Sequence, residues 1–567
     1  MAIQFLATGH PQFTDPHLAE LAASDGTIAA WQRALSDGDK QRAANSVRGD
    51  FAVGIRLPSG GTFLAVDRFA IRSLCYKISN GQLHFAERAD ELTDASTEID
   101  HQAIFDYFYF HCIPSPRTIF KGVYRLPPGY YAWLDRGKLT VAPYWVPEFV
   151  ERRDATFDGL RAEFRQLLHQ AVAKHLDGGK PACFLSGGTD SSTVAGMIGQ
   201  VCGGAAATYS IGFEAEGYDE MEFARIAAKK FGTEHHEYYV TPDDLVRSIP
   251  LVAAHYDQPF GNSSALPAYY CAKMAKEDGV SKILGGDGGD ELFGGNTRYA
   301  KQRIFGWYGL FPGAVRRGVM EPVLGNKRIA NFPGVGKAAS YVEQAKVPMP
   351  DRLQMYNLIM RLGTASVFTG GFLAGIDSEL PLQHQREAWR FAKPPCSELN
   401  RQLAFDWRYT LAESDLPKVV GTTTLAGLQV GFPLLDDNLL EFSLRLPTAY
   451  KLKGLKLRWF FKEALKGFLP DEIITKKKQG FGLPFGVWVV KHAGLRKLAE
   501  ESLRGLVDRG IIRSDFVDVL FGRYLNEHPG YYGEMIWISM ILEQWLQGWD
   551  SRRNSRSNDL SDALLAM

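Results

Sequence analysis

The sequence predicts a strand-rich N-terminal region followed by a larger α/β region built on a parallel sheet. Residues 1–148 alternate short apolar runs with Gly, Pro and Asp, as in Phe51–Leu57 and Thr62–Val66. This sequence pattern is typical of many short strands joined by turns. From residue 149 onwards, apolar strands alternate with amphipathic helices, which indicates a parallel sheet with crossover helices. A loose tail rich in Arg, Asn and Ser is expected over residues 551–567.

The α/β region is predicted to begin with an amphipathic helix over Phe157–Lys174, because apolar residues recur there at helical spacing. The strands expected after it are Ala182–Leu185, Ala207–Phe213, His236–Val240 and Lys282–Leu284. The helices expected between these strands are Thr193–Gln200, Met221–Phe231 and Ser264–Glu277. Helical patterns dominate from about residue 300 to 425. The predicted domains are therefore residues 1–148 and 149–550, ahead of the tail.

The composition excludes several classes of protein. The 567 residues include 64 Lys and Arg and 64 Asp and Glu, so the formal net charge is 0. A general nucleic-acid binder needs a basic excess or a basic face, so no nucleic-acid partner is expected. The 6 cysteines lie far apart with no C-x-x-C pair, which gives no indication of a zinc site. Without a signal-peptide pattern or an apolar run of about 18 residues, we expect no membrane span and a cytoplasmic location.

The strongest local signal is the string SGGTDSS at residues 186–192, between a predicted strand and a predicted helix. Its paired glycines let the backbone turn tightly and bring N–H groups close to an anion. The positive end of the following helix points at the same place. Serine hydroxyls add donors, and Asp190 can hold a magnesium ion. The string is not a Walker A loop, because no Gly-Lys-Ser/Thr closes it, but it predicts a site for the phosphates of a nucleotide.

A second, acidic string, GGDGGDELFGG, follows the predicted strand Lys282–Leu284 at residues 285–295. Asp287, Asp290 and Glu291 crowd onto a glycine-rich backbone there, a pattern that favours a divalent cation. Both strings follow strands of one parallel sheet, so they are expected to meet at its carboxyl edge, where ligands bind in open α/β sheets. One magnesium ion shared by Asp190 and Asp290 is the resulting hypothesis.

These two strings, about 100 residues apart, resemble those of the asparagine synthetase family, a branch of the N-type ATP pyrophosphatases. The likeness covers about residues 157–490 and includes further strings at Ser210–Phe213, Tyr218–Glu220, Gly232–His236, Asp257–Pro259, Ala265–Pro267, Phe432–Asp436 and Lys478–Phe481. The N-terminal region is similar to the glutaminase domain of the same family at Gly49–Ala52, Asp67–Phe69 and Leu126–Gly129. The resemblance implies an N-terminal α+β domain of the Ntn-type sandwich class. It also implies a C-terminal α/β PP-loop ATP pyrophosphatase domain, a twisted parallel sheet flanked by helices.

The resemblance also implies an activity and a set of site residues. A substrate carboxylate attacks the α-phosphate of ATP, pyrophosphate leaves, and ammonia or an amine then attacks the acyl-adenylate. Pyrophosphate and Mg2+ are bound by Ser186, Gly187, Gly188, Asp190, Ser191 and Ser192, with Asp290 as the second metal ligand. Gly212 lies near the base, and Lys478 stabilises the developing phosphate charge and then the tetrahedral intermediate. Asp287 stands where many members carry Glu, and it accepts a proton from the amine. The family often forms homodimers.

Two departures from the family pattern bear on the substrates. Glutamine-using members carry a cysteine after the initiator Met, as nucleophile with its freed α-amine, whereas residue 2 here is Ala2 and the first cysteine is Cys75. We therefore expect an inactive glutaminase domain, with a misassigned start codon as the alternative. In the acceptor half, a usual Glu is Gln429 and a usual Arg is Gly431. This change indicates either a carboxylate other than free aspartate or only the loss of structural ion pairs.

Three classes of function follow. The first is an ATP-dependent, amide-forming ligase, with asparagine synthesis from aspartate as the named candidate. Its alternative use is amide formation on another carboxylate, as in lasso-peptide or β-lactam cyclisation or the amidation of a sugar uronate. The second class is a scaffold with a decayed site, which the retained Asp190, Asp290 and Lys478 disfavour. The third is a tRNA-thiolating enzyme, which would need a reactive cysteine pair and a basic face.

Overall fold

The chain contains antiparallel sheets in its N-terminal region and a parallel sheet in the region that follows in sequence. The computed structural model describes residues 5–58, 60–152, 154–215, 217–324, 335–477 and 482–565, with the backbone alone at Val335 and at 555–565. The strands of the N-terminal region are β1 Phe5–Gly9, β2 Gln12–Phe13, β3 Val47–Arg48, β4 Phe51–Arg56, β5 Thr62–Val66, β6 Cys75–Ser79, β7 Gln82–Ala86, β8 Tyr124–Arg125, β9 Tyr130–Asp135 and β10 Lys138–Pro143.

The N-terminal strands build two facing antiparallel sheets. The larger runs β1-β4-β5-β9-β10 and the smaller β7-β6-β8, while β2 pairs with β3. Leu64 and Val66 of the larger sheet pack against Leu83 and Phe85 of the smaller one. The opposite face of the larger sheet buries Trp31 completely. The helices of this region are Pro16–Asp25, Thr27–Ser36, Lys40–Asn45 and His101–Phe110, with a 3-10 turn at Ala89–Leu92.

The second sheet is parallel and has the order β13-β12-β11-β14-β15. Its strands are β11 Ala182–Phe184, β12 Ala207–Phe213, β13 Glu234–Val240, β14 Lys282–Leu284 and β15 Gln429–Gly431, and a separate hairpin joins β16 Leu452–Lys453 to β17 Lys456–Leu457. The central strand β11 pairs through Cys183 with Thr208 on one side and Leu284 on the other. The carboxyl ends of β11 and β14 therefore lie side by side.

Helices flank this sheet and make up most of the remaining chain. The α-helices are Phe157–His175, Thr189–Cys202, Met221–Phe231, Pro242–His255, Ala265–Glu277, Gly289–Phe293, Thr297–Tyr308, Gly313–Val315, Glu321–Leu324, Val335–Lys346, Leu358–Leu362, Thr364–Val367, Gly370–Leu373, Leu380–Trp389, Glu398–Asp406, Leu416–Ala426, Asp437–Arg445, Thr448–Lys451, Trp459–Ala464, Asp471–Thr475, Phe485–Lys491, Ala493–Asp508, Ser514–Val519, Leu525–Glu527 and Pro529–Leu565. Pro433–Leu435 and Asp351–Gln354 are 3-10 turns, and Arg316–Met320, Trp407–Asp415 and Leu520–Tyr524 are π-helical.

The parallel sheet and its crossover helices follow the predicted order, but bounds and elements differ. Strand β13 begins at Glu234 rather than His236, and neither the helix Pro242–His255 nor the strand β15 was predicted. The helix expected from Thr193 begins at Thr189, because Gly188 caps it and the polar residues that follow form its first turn. The final helix, Pro529–Leu565, continues through most of the segment expected to be a loose tail. Arg552 and Arg553 donate there to the carbonyls of Ala254 and Ala95, which attach this part of the helix to the body of the protein.

Buried charges join the N-terminal region to the parallel-sheet region. Arg68 Nη1 donates to Asp437 Oδ1 at 2.7 Å, and the backbone N–H of Gly49 donates to Asp437 Oδ2 at 2.7 Å. Burial raises the pKa of Asp437 to about 6. Removing one partner of a buried ion pair typically costs about 3–5 kcal/mol, so this contact holds the two regions together. Of the described helices, none has the length and apolar character needed to cross a membrane.

Lys451, a buried cation of the parallel-sheet region, makes the stability of the protein depend on pH. Its ammonium is fully buried, 3.0 Å from Asn400 Oδ1 and 4.8 Å from the centroid of the Phe149 ring. Burial lowers the pKa of Lys451 to about 7, against about 10.4 in an unfolded chain. Between these values the unfolded state binds more protons, so the free energy of unfolding rises with pH and levels off near the upper one.

We expect Lys451→Met to remove this rise. In denaturant titrations, the wild type should gain up to about 1.4 kcal/mol per pH unit from this group between roughly pH 7.5 and 9.5. The variant should lack that increment and be the more stable protein at pH 7. Lys497→Met, at an exposed position with 74% of its side chain accessible, is the control. An unchanged pH slope in Lys451→Met would contradict this account of the buried lysine.

Candidate active site

The turn after β11 is shaped to bind an anion. Gly187 adopts φ +66°, and a Cβ at this position would lie 2.4 Å from the backbone nitrogen of Ala224, so only glycine fits. The backbone N–H groups of Ser186 and Gly188 face hydroxyls of this turn, donating to Ser191 Oγ at 3.1 Å and Ser186 Oγ at 3.3 Å. The N-terminus of helix Thr189–Cys202 adds its positive partial charge.

The acidic string lies directly against this turn, as the sequence predicts for neighbouring strands. A Cβ on Gly286 would lie 2.8 Å from the backbone nitrogen of Ser191, and one on Gly289 would lie 2.2 Å from Asp190 Oδ1. The two backbones therefore approach as closely as they do because both positions lack a side chain. This approach brings the carboxylates of Asp190 and Asp290 to a common point.

Arg458 occupies that common point. Its Nη1 donates to Asp190 Oδ1 at 2.6 Å, and its Nη2 contacts both Asp190 Oδ2, at 2.5 Å, and Asp290 Oδ1. The residue is 5% exposed, adopts φ +50° after β17, and donates its backbone N–H to the carbonyl of Gly294 at 3.1 Å. Two carboxylates that converge on one cationic group form a donor set that also suits a divalent cation.

A second charged cluster lies on the other side of the acidic string. Lys418 Nζ is 3.6 Å from Asp287 Oδ1 and 3.4 Å from Asp415 Oδ1. Burial opposes the charge of Lys418, but the carboxylates of Asp415 and Asp287 outweigh it and raise the pKa of the lysine. Burial raises the pKa of Asp287, although Lys418 counteracts this. Asp415 ends the π-helical turn Trp407–Asp415, and such turns occur often at functional sites.

A cavity of 1240 Å3 lies over both clusters, which we call the main cavity. Its described lining includes the lysines Lys462, Lys466, Lys476 and Lys477. Burial, reinforced by Arg458, lowers the pKa of Lys462. Lys476 Nζ lies 3.2 Å from Glu220 Oε1 and 4.3 Å from the centroid of the Phe223 ring. An acidic floor under a basic rim is suited to a polyanionic ligand that carries a metal ion.

The residues predicted for the site are distributed unequally around this cavity. Ser186, Gly188, Asp190, Ser191, Asp287 and Asp290 line it. Ser192 is fully buried beneath the turn and its Oγ has no hydrogen-bond partner among the described residues. Gly212 lies in β12, where a Cβ would be 2.5 Å from the ring of Tyr239, and it is outside the described lining. Lys478 lies outside the described residues.

The structure also places the altered acceptor residues. Gln429 and Gly431 belong to the edge strand β15, and neither belongs to the described lining of the main cavity. A Cβ on Gly431 would lie 2.9 Å from His175 and 3.0 Å from Leu284. The position is thus filled by its neighbours, which favours the structural interpretation of the lost charges. Sequence reasoning missed Arg458 and Lys418, for which no local string gave a signal.

Comparison with known proteins matches both regions. The asparagine synthase family profile matches residues 163–547, and the glutamine amidotransferase domain profile matches residues 33–145. The chain is 26% identical over 517 residues, 89% of this chain and 78% of the relative, to asparagine synthetase [glutamine-hydrolyzing] 1 of Bacillus subtilis. It is 24% identical over 439 residues to asparagine synthetase [glutamine-hydrolyzing] 3 of the same organism, covering 74% of this chain and 64% of the relative. The amidase chyE of Penicillium rubens is 23% identical over 495 residues, 78% of this chain and 70% of the relative.

The close packing of the two strings gives a direct test. We expect Gly289→Ala to lower the free energy of unfolding by about 1–3 kcal/mol, because the new methyl displaces the Asp190 carboxylate in an overpacked site. Gly375→Ala is the matched control, since a Cβ there meets nothing within 4 Å. Chemical denaturation of both variants measures the difference. Equal stabilities would mean that the two strings do not touch as described.

Proposed function

The chain belongs to the asparagine synthase family and is an ATP-dependent ligase, and from that premise we propose the reaction and the residues that carry it. A substrate carboxylate attacks the α-phosphate of ATP, pyrophosphate leaves, and ammonia or an amine attacks the acyl-adenylate to form an amide. The observation that carries the proposal is the convergence of Asp190 and Asp290 beneath a lysine-rimmed cavity. Asparagine formation from aspartate is the named candidate.

Pyrophosphate binding is assigned to the turn after β11, within a PP-loop pyrophosphatase fold. The hydroxyls of Ser186 and Ser191 accept from backbone N–H groups of the turn and can turn their own protons to donate to phosphate. Gly187 and Gly188 give the turn its shape, and the helix N-terminus supplies positive charge. Ser192 contributes from beneath the turn, where its hydroxyl has no described hydrogen-bond partner. Gly212 is kept as the residue near the base, with the ring of Tyr239 packed against it. Asp190 and Asp290 would hold Mg2+, which neutralises phosphate charge when bound.

Arg458 is proposed to exchange partners when the nucleotide arrives. In the structure its guanidinium neutralises the two carboxylates that a metal would neutralise. If a metal ion neutralised the two carboxylates instead, the guanidinium would be able to donate to phosphate oxygens, which its planar fork of N–H groups fits well. Arg458 thus supplies positive charge to the leaving pyrophosphate.

Proton transfer and charge stabilisation are assigned to Asp287 and Lys478. Burial raises the pKa of Asp287, which makes its carboxylate a stronger base for the attacking amine. Lys418, 3.6 Å away, orients Asp287 and counteracts the rise in the pKa of its carboxyl. Lys478 stabilises the charge that develops on the phosphate and then the tetrahedral intermediate. The neighbouring Lys476 and Lys477 both line the main cavity, which supports that role.

The nitrogen is proposed to come from ammonia or an amine rather than from glutamine hydrolysed in the N-terminal domain. The described cysteines of that Ntn-type domain, Cys75 and Cys112, are buried, and burial raises the pKa of each thiol. Neither thiol is poised as a thiolate nucleophile. We keep residues 1–148 as this domain and 149–550 as the ligase domain.

Pyrophosphate release tests the reaction. We expect release from ATP and Mg2+ with aspartate plus ammonium, and none beyond background with aspartate plus glutamine. Asp190→Asn and Asp290→Asn should each lose at least about 100-fold, since charge stabilisation of the leaving group is lost. Asp518→Asn, at an exposed surface ion pair, is the control. ATP binding without release would point to another carboxylate, and no ATP binding would overturn the proposal.

Arg458→Met tests whether Asp190 and Asp290 bind Mg2+ independently of the phosphate site. Without the guanidinium the paired carboxylates repel each other, so we expect a lower thermal midpoint and a larger upward shift on adding Mg2+ alone than in wild type. Arg458→Met combined with Asp290→Asn should lose that Mg2+ shift. Differential scanning calorimetry measures each midpoint. An Mg2+ shift no larger than that of wild type would exclude a shared metal site at these carboxylates.

A further inference from the structure

A second cavity of 360 Å3, which we call the side cavity, adjoins the main cavity. Thr297 lines the main cavity while the next residue, Arg298, lines the side cavity. In the same way, Asp415 lines the main cavity and Ser414 the side cavity. Consecutive residues lie about 3.8 Å apart along the backbone, so the two cavities share a thin wall on two sides. A volume of this size lies within the range of small-molecule sites.

The side cavity has a surplus of positive charge. Arg352 donates only to neutral acceptors, at 2.8 Å to the carbonyl of Val347, 3.1 Å to that of Ala345 and 3.1 Å to Gln302 Oε1. Lys301 lies over the rings of Phe305 and Tyr356. Across the described ranges, no carboxylate forms an ion pair within 4.0 Å with either cation, whereas Arg298 is paired with Asp406 at 2.7 Å.

A buried amide also faces this space without a partner. Gln385 is 2% exposed, lines the side cavity, and its Oε1 has no hydrogen-bond partner among the described residues. An unpaired carbonyl of this kind destabilises a folded protein, and a ligand hydroxyl or N–H would satisfy it. The walls are aromatic, with Phe405 and Phe110 packed at 5.1 and 5.4 Å from the ring of Tyr409. Such walls accommodate the C–H face of a ligand.

We propose that the side cavity binds the part of the acyl substrate remote from its reacting carboxylate, and that this part carries a second anionic group and a hydroxyl or N–H donor. Such a substrate is a hydroxylated carboxylic acid larger than aspartate, with its second anion held by Arg352 and Lys301. This inference therefore favours the alternative use of the ligase, amide formation on another carboxylate, over the aspartate named above. Between the two cavities Arg298 Nη2 donates to Thr410 Oγ1 at 2.7 Å, so the proposal requires this contact to part when the reacting carboxylate enters the main cavity. This inference rests on the proposed function, because it assigns the carboxylate that ATP activates.

The test uses two probes that differ only in the second anion, phosphogluconate and gluconate. By isothermal titration to the full-length protein in the presence of ATP and Mg2+, phosphogluconate should bind about tenfold more tightly than gluconate. In Lys301→Gln and in Arg352→Gln the ratio should fall towards one, while Lys497→Gln should keep the wild-type ratio. Equal binding of the two probes to wild type, or an unchanged ratio in both variants, would overturn the proposal.

Gln385→Leu provides a readout that does not depend on charge. Removing the unpaired carbonyl should raise the thermal midpoint by about 2 °C and weaken phosphogluconate binding several-fold. A raised midpoint with unchanged binding would show that Gln385 does not contact the ligand. ATP titration in the same experiment keeps the two proposals apart. ATP binding with no discrimination between the probes overturns only the side-cavity assignment, and failure of ATP to bind overturns the proposed function.

Discussion

The close approach of two backbone turns at the ends of β11 and β14 is the constraint on which the site depends. Neighbouring parallel strands bring the turns together, and glycine at 286 and 289 lets them touch. The contact places Asp190 and Asp290 side by side, where their mutual repulsion requires a cation. Arg458 meets that requirement from a third part of the chain. Geometry and charge at the site therefore follow from one packing contact.

The sequence predicts what is local or periodic and misses what depends on distant contacts. Ala207–Phe213, Met221–Phe231 and Lys282–Leu284 have the predicted bounds, because apolar runs and turn residues mark their ends clearly. The start of the helix at Thr189 was missed, since its first turn is polar and apolar periodicity appears only later. Arg458 could not be foreseen, because its partners lie 168 and 268 residues away and it follows an ordinary turn.

Charge in this protein is arranged differently in its two cavities. In the main cavity acidic and basic groups face each other, which suits a ligand that brings its own metal and phosphates. In the side cavity Arg352 and Lys301 have only neutral partners within 4.0 Å among the described residues, and the carbonyl of Gln385 is left unpaired there. Polar groups left without complement inside a folded chain are more typical of binding sites than of structural cores. The two cavities together indicate that specificity and chemistry are supplied by separate sets of residues.

The ion pair between Arg68 and Asp437 bears on why an amidotransferase-like domain persists beside the ligase. Asp437 is the first residue of the helix Asp437–Arg445, and Asp436 caps that helix. Lys174, in the helix Phe157–His175 that flanks the parallel sheet, donates to Asp436 at 2.6 Å. The contacts of the N-terminal domain are thus continuous with the helices around that sheet. Excising the N-terminal domain would leave Asp437 without its guanidinium and expose the apolar surface it covers. The ion pair thus gives the N-terminal domain a structural contribution to the ligase that does not depend on glutamine hydrolysis.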